Sequence, residues 1–307
     1  MKLESDRREF LKLAGLGGGV VFASTLWGGA LRAEDEFHFV QLSDTHWGFE
    51  GAPNPDAKGT LPKAIEAVNA LSRQPDFIVF TGDLTHTTDD PAKRRDRMKE
   101  FRDIAGKLKA KTVRFLPGEH DAALDKGDAF QENFGVTHYT FDHKGVHFIV
   151  LDNVSDPGSI VGDAQLKWLA ADLAKRKKSA PIAVLTHRPL FDLYPEWDWA
   201  TKDGEKALAL LDPFEHVTVF YGHIHQEHHH TTGHIEHHSA ASLIFPLPAP
   251  GSVPKKAPVP WDASRPYRGL GWRDVEAYVS KGTFEIEEKP VNPAEAVPKK
   301  ALAGMLG

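Results

Sequence analysis

Five short apolar runs in this chain each end on a turn that carries histidine or a carboxylate. The first, Phe37-His38-Phe39-Val40-Gln41-Leu42, leads into Ser43-Asp44-Thr45-His46. Phe77-Ile78-Val79-Phe80 leads into Thr81-Gly82-Asp83, and Thr112-Val113-Arg114-Phe115 into Leu116-Pro117-Gly118-Glu119-His120-Asp121. Pro181-Ile182-Ala183-Val184-Leu185 precedes Thr186-His187, and Val217-Thr218-Val219-Phe220-Tyr221 precedes Gly222-His223-Ile224-His225. Uninterrupted apolar runs are the mark of strands buried on both faces, as in parallel sheets covered by helices. Between the first runs, Leu61, Ile65, Val68 and Leu71 predict a helix over about 60–73, and Met98, Phe101, Ile104 and Leu108 a charged one. Strand, turn and helix in alternation predict an α/β protein with its crevice at the carboxyl ends of the strands.

The second half adds hairpins. Residues 139–142 and 146–151 flank His143-Lys144-Gly145, a short β-turn connection, and helices are expected over about 163–175 and 204–211. Seven prolines fall within residues 246–266, which predicts an extended wrap or linker. Two more strands are expected within 272–289, followed by a loose tail. The chain thus divides into a main domain over 34–245 and a proline-rich wrap with C-terminal strands over 246–307.

Residues 1–33 read as an export signal rather than part of the fold. Asp6-Arg7-Arg8-Glu9-Phe10-Leu11-Lys12 resembles the twin-arginine motif, followed by a weakly apolar, glycine-rich run and a small-residue cleavage site ending at Ala33. The glycines make that run a poor membrane anchor, so no stable membrane insertion is expected. The twin-arginine export machinery is the implied partner, and the periplasm or another extracytoplasmic space the expected location.

Composition narrows the chemistry. A formal charge of −6 leaves no electrostatic footprint for a nucleic acid polymer. The chain has no cysteine, which excludes disulfides, thiolate metal sites and cysteine nucleophiles. Any metal must therefore be held by nitrogen and oxygen donors, which suits zinc, manganese or iron. Asp-x-His and His-x-His spacing would put both side chains of each pair on one side of an extended segment, where they can embrace one ion or straddle two. A set of satisfied polar strand ends with no metal is the bland alternative.

Asp44-x-His46, Gly82-Asp83, Gly118-Glu119-His120-Asp121, His187 and Gly222-His223-x-His225 match, in order, the motifs of calcineurin-like metallophosphoesterases. The chain resembles that family over about residues 37–240. The resemblance implies a four-layer α/β-β/α sandwich, two mixed β-sheets packed face to face with helices outside, and a two-metal site at one edge. It implies that Asp44, His46 and His225 hold one ion, that Asp83 bridges both, and that His187, His223 and Glu119 hold the second. It implies hydrolysis of phosphate esters by a hydroxide shared between the ions, with His120 protonating the leaving oxygen and Asp121 orienting His120. The family's usual Gly-Asn-His stretch has glutamate here: a ligating Glu119 makes a third carboxylate and favours an iron-containing pair.

The expected substrates are small phosphate esters, and resemblance to bacterial cyclic-nucleotide phosphodiesterases favours diesters. A phosphomonoesterase, or a metal-binding protein with little turnover, are the alternatives. Trp197 and Trp199, on a loop after His187, are candidates for stacking on a substrate ring, Arg188 for gripping a phosphate, and His86 for reaching the site. The histidines at 228–230, 234, 237 and 238 are expected to be mostly exposed on a hairpin.

Overall fold

The structure, a computed structural model, describes residues 36–295. The export signal expected over 1–33 lies outside the described residues, as does the end of the tail. Among the described residues, no helix is long and apolar enough to cross a membrane.

Among the described residues, eleven strands form two mixed sheets. In the first, β1 (Glu36–Leu42), β2 (Phe77–Thr81) and β3 (Val113–Leu116) run parallel, as their connecting helices require. β10 (Gly271–Tyr278) and β11 (Thr283–Pro290) add an antiparallel hairpin to the open side of β1, so this sheet draws on residues either side of the proline-rich stretch. In the second, β5 (Val146–Val150), β6 (Ile182–Leu185) and β7 (Val217–Tyr221) are parallel. They are flanked by β4 (Tyr139–His143) on one side, and on the other by β8 (His228–Thr232) and β9 (Ile235–Ser239).

Alternation along each strand explains the layers. Phe37, Phe39, Phe77 and Val79 point from the first sheet into a core shared with Phe148, Val150, Leu185 and Phe220 of the second. Phe39 stacks on Phe77 with ring centroids 4.9 Å apart. The intervening residues, Val40, Leu42, Ile78 and Phe80, face outward beneath Leu61, Ile65 and Val68 of α1 (Ala57–Asn69) and Phe101 of α2 (Pro91–Ala105). Ile149, Val184 and Val219 are covered on the opposite side by α5 (Asp163–Leu173) and α6 (Gly204–Leu211). Two short helices, α3 (Glu119–Ala122) and α4 (Asp128–Phe134), close the end of the first sheet. The four layers place the carboxyl ends of β1, β2, β3, β6 and β7 along one edge.

The helix starts are legible in the chain. Asp90 caps α2 by accepting from Ala92 N (2.9 Å) and Lys93 N (3.2 Å), with Pro91 as the first helical residue.

Candidate metal centre

The strands stop short of the ligands they deliver. β1 ends at Leu42 and β7 at Tyr221, and Asp44, His46, Asp83, His223 and His225 all have left-handed backbones, with φ between 43° and 66°. The same-side placement of Asp44 with His46, and of His223 with His225, therefore comes from coiled loops and not from strand alternation. Each such residue stores roughly 1–3 kcal/mol of backbone strain, tolerated where the surroundings over-determine it and concentrated at functional sites. Glycines make the crowding possible. A side chain at Gly82 (φ 92°) would strike the His187 ring, and one at Gly222 would strike the Ser43 hydroxyl.

Two donor groups result. Candidate ligand atoms of Asp44, His46 and His225 all lie within 4.8 Å of one another, and so do those of Asp83, Glu119, His187 and His223. Asp83 Oδ2 stands between the groups, 3.4 Å from His46 Nε2 and 3.4 Å from His187 Nε2. Asp44 Oδ1 is 3.4 Å from His225 Nε2. Glu119 reaches His187 Nε2 with Oε2 (2.9 Å) and His223 Nδ1 with Oε1 (2.8 Å).

Hydrogen bonds set the ring tautomers. A carbonyl can only accept, so His187 Nδ1 donates to Thr81 O (2.7 Å) and His225 Nδ1 donates to Phe245 O (2.8 Å). In the neutral rings this leaves each Nε2 as a lone-pair donor facing the carboxylates, the arrangement metal-bound histidines need. Asp44 is positioned by the Ser43 hydroxyl (2.5 Å) and by His223 N (3.1 Å to each oxygen).

The electrostatics agree with a cation site. Burial alone would push the Asp44 carboxyl up, but the imidazoles of His225 and His187 and the Ser43 hydroxyl bring it below its ordinary value. Burial likewise opposes the charge on Glu119, and His223 and His187 overcome it, holding its carboxyl well below the usual range. Burial, then the neighbouring His120, His225 and His86, drive the His46 imidazole well below its ordinary value. Burial opposes a charge on the His187 imidazole, but Asp83 and Glu119 overcome it and hold that ring well above its ordinary value. Carboxylates and imidazoles thus converge in a buried space. His187 Nε2, His223 Nε2 and Glu119 Oε2 are buried there without a satisfied hydrogen bond. These residues fit two metal ions.

The sequence profile described as Calcineurin-like phosphoesterase matches residues 37–227, the stretch that carries every one of these ligands. The chain belongs to the calcineurin-like phosphoesterase family. Its fold is also that of a dimetal phosphatase from Danio rerio, with a TM-score of 0.55 at 14% identity over 83% of this chain and 99% of the other. Serine/threonine-protein phosphatase CPPED1 of Mus musculus is 30% identical over 62% of this chain and 70% of its own length. A cAMP/cGMP dual specificity phosphodiesterase of Mycobacterium tuberculosis is 32% identical over 50% of this chain and 51% of its own. Like these relatives, the chain is a hydrolase of the calcineurin-like class.

Against that family background, four expectations from the sequence need correction. Asp121 does not hold the His120 ring. Its carboxylate accepts from Leu84 N (2.9 Å), Thr85 N (2.8 Å), the Thr85 hydroxyl (3.0 Å) and Gly118 N (3.0 Å), which pins the loop after β2 to the turn after β3. Burial, then the nearby charge of Asp83, push that carboxyl up to about 7. The partner of His120 is Thr87, whose hydroxyl lies 2.7 Å and whose N–H 3.3 Å from Nδ1. Because the Thr87 N–H can only donate, Nδ1 accepts, and the proton of the neutral ring sits on Nε2. Sequence reasoning missed Thr87; its one signal was a polar Thr85-His86-Thr87-Thr88 run just past Asp83.

Trp197 and Trp199 are buried, at 7% and 0% exposure, in an aromatic cluster with Phe191 and Tyr221. Packing with Tyr221 and Ile224 turns both rings inward, which leaves Trp199 no free face and Trp197 little of one for stacking. Arg188 is also buried; its guanidinium donates to Ala200 O (3.2 Å) and to Asp198 O, which ties it to its own loop.

His86 does reach the site. It stands 3.3 Å from His46 through the Nδ1 atoms and stacks on His120 at 5.0 Å between centroids. On the hairpin, His229, His230 and His234 are exposed and His228 and His238 half-buried, but His237 is fully buried with both ring nitrogens unpartnered. It faces Phe191, which the pattern of alternating histidines did not reveal.

Proposed function

We propose that this chain is an exported binuclear metallophosphoesterase acting on small phosphate esters, phosphodiesters such as cyclic nucleotides foremost. The observation that carries this reading is Asp83, whose Oδ2 is equidistant from a histidine of each donor group. Asp44, His46 and His225 would hold one ion and Glu119, His187 and His223 the other, with Asp83 shared. When bound, such a pair supplies Lewis-acid polarisation of the phosphoryl group and an activated water. Glu119 in place of a neutral ligand supports an iron-containing pair over two zinc ions, because it adds a hard anionic oxygen.

The chain's own residues do the rest. His120 presents its Nε2 proton for the departing oxygen, with Thr87 fixing the tautomer. The His120 backbone is anchored on Asp83, so the acid keeps its register with the shared carboxylate. Asp121 secures both loops from behind.

Likeness to the mycobacterial dual specificity phosphodiesterase supports the diester preference. A phosphomonoesterase is the second reading, favoured by the longer match to the mouse phosphatase. Assay of the metal-loaded protein against aryl monoesters, aryl diesters and cyclic nucleotides decides between them; a monoester preference would overturn the diester reading. Export rests on Arg7-Arg8. Replacing both with lysine should leave the protein in the cytoplasm, and undiminished delivery would refute the twin-arginine route.

A further inference from the structure

His187 and His225 each give an Nδ1 proton to a backbone carbonyl. His46 has a second imidazole in that place. Its Nδ1 lies 3.3 Å from His86 Nδ1, while its Nε2 lies 3.4 Å from Asp83 Oδ2 and 3.3 Å from His225 Nε2. Nε2 is thus the atom that faces the donor groups, and a neutral ring that lends its Nε2 lone pair to an ion carries its proton on Nδ1. That proton has His86 Nδ1 as its acceptor, which puts the proton of the neutral His86 ring on Nε2.

The fold holds His86 in register for this contact. Its N–H donates to the carbonyl of Trp47, the residue after His46, at 2.9 Å. Arg97 reaches from α2 to donate to both His86 O (2.6 Å) and Thr87 O (3.1 Å). Gly48 leaves room for that reach, since a side chain there would strike the Arg97 guanidinium. The His86 ring packs edge to face on Phe49 at 5.0 Å and stacks on His120 at 5.0 Å. One side chain therefore meets a ligand of the first donor group with a nitrogen and the proposed acid with a ring face.

We infer that His86 is a positioning residue with two separable roles: its Nδ1 sets the tautomer of His46, and its ring face keeps His120 aligned for proton delivery. The inference rests on the two-metal phosphoesterase reading above and adds to it the residue that links a ligand to the acid. Hydrogen-bond partners behind ligating imidazoles are worth about 10- to 100-fold in metal affinity. Neither role requires His86 to touch an ion or the substrate.

Two variants separate the roles. His86→Asn keeps an acceptor where Nδ1 stood and loses the ring, whereas His86→Phe keeps a ring and loses the acceptor. Zinc-loaded protein is titrated with EDTA and its zinc content followed by elemental analysis. His86→Phe should release one of its two ions at roughly 10-fold lower EDTA than wild type, and His86→Asn should hold both as wild type does. In the slope of log kcat against leaving-group pKa the order should reverse. That slope should steepen in His86→Asn, whose acid has lost its support, and stay near wild type in His86→Phe. Wild-type protein that holds no zinc would defeat the two-metal reading and the inference with it. Wild-type protein that holds two ions, with the two variants alike in EDTA resistance or alike in slope, overturns the inference alone.

Discussion

The backbone N–H of His120 donates to Asp83 Oδ1 at 2.9 Å, while the other oxygen of Asp83 faces His46 and His187. One carboxylate thus holds the loop of the proposed acid with one atom and joins the two donor groups with the other. Displacing Asp83 should disturb both functions together, whereas changes around the His120 ring should affect proton delivery alone.

Thr87 tests that separation. Thr87→Val removes the hydroxyl 2.7 Å from His120 Nδ1 and keeps the backbone donor. Turnover of esters with poor leaving groups should fall by about tenfold or more, since general acids contribute roughly 10²–10⁴-fold, and good leaving groups should be little affected. Metal content should not change. The slope of log kcat against leaving-group pKa measures this; parallel slopes for wild type and variant would remove Thr87 from the mechanism.

Asp121 should behave as a structural clamp. Asp121→Asn replaces an oxygen that accepts backbone N–H groups with an amide that cannot accept on both sides. Leaving one buried donor unpaired costs about 1–3 kcal/mol, measurable by urea unfolding. A variant of wild-type stability would show that the loops are held by other contacts.

Much of this geometry is legible in the residues themselves. Continuous apolar runs such as Phe77–Thr81 mark buried parallel strands, and the residues after them are the ones the fold gathers into two donor groups. Thr87 was hidden because its role depends on a loop doubling back to meet α3, a contact between positions with no shared periodicity. Trp197 and Trp199 misled for the opposite reason: local sequence showed aromatics on a loop, and only tertiary packing buried them. The left-handed backbones at Asp44 and His225 have no signal in residue type, since neither is glycine.

His237 predicts an acid sensitivity remote from the metal ligands. Burial, then the charges of His230, His238 and His228, lower its imidazole from 6.5 to about 3. The unfolded chain therefore binds this proton more readily than the folded one between those values. Its contribution weakens the fold as pH drops from about 6.5 towards 3, and stability rises with pH across that window. His237→Leu should flatten the profile, narrowing the loss between pH 7 and pH 5 by on the order of 2 kcal/mol. Urea midpoints at several pH values check it. Parallel profiles would mean that the ring takes up its proton in the fold at no penalty.

Glu119 can be tested against its neutral analogue. Glu119→Gln neutralises the carboxylate that spans His187 Nε2 and His223 Nδ1 while keeping an oxygen at the same reach. The variant, loaded from a mixture of iron, manganese and zinc, should take up less iron and more zinc or manganese than wild type. Elemental analysis reads the ratio. An identical metal profile would exclude Glu119 as a ligand.

Whether two ions share Asp83 is read by elemental analysis of the purified full chain. Wild-type protein loaded with metal should hold about two ions per chain, as a two-metal site requires. Asp83→Asn, which weakens both donor groups at once, should hold fewer than about one and lose phosphoesterase activity. Wild-type protein saturating at a single ion, or an Asp83→Asn variant that stays fully loaded and active, would rule out a shared Asp83.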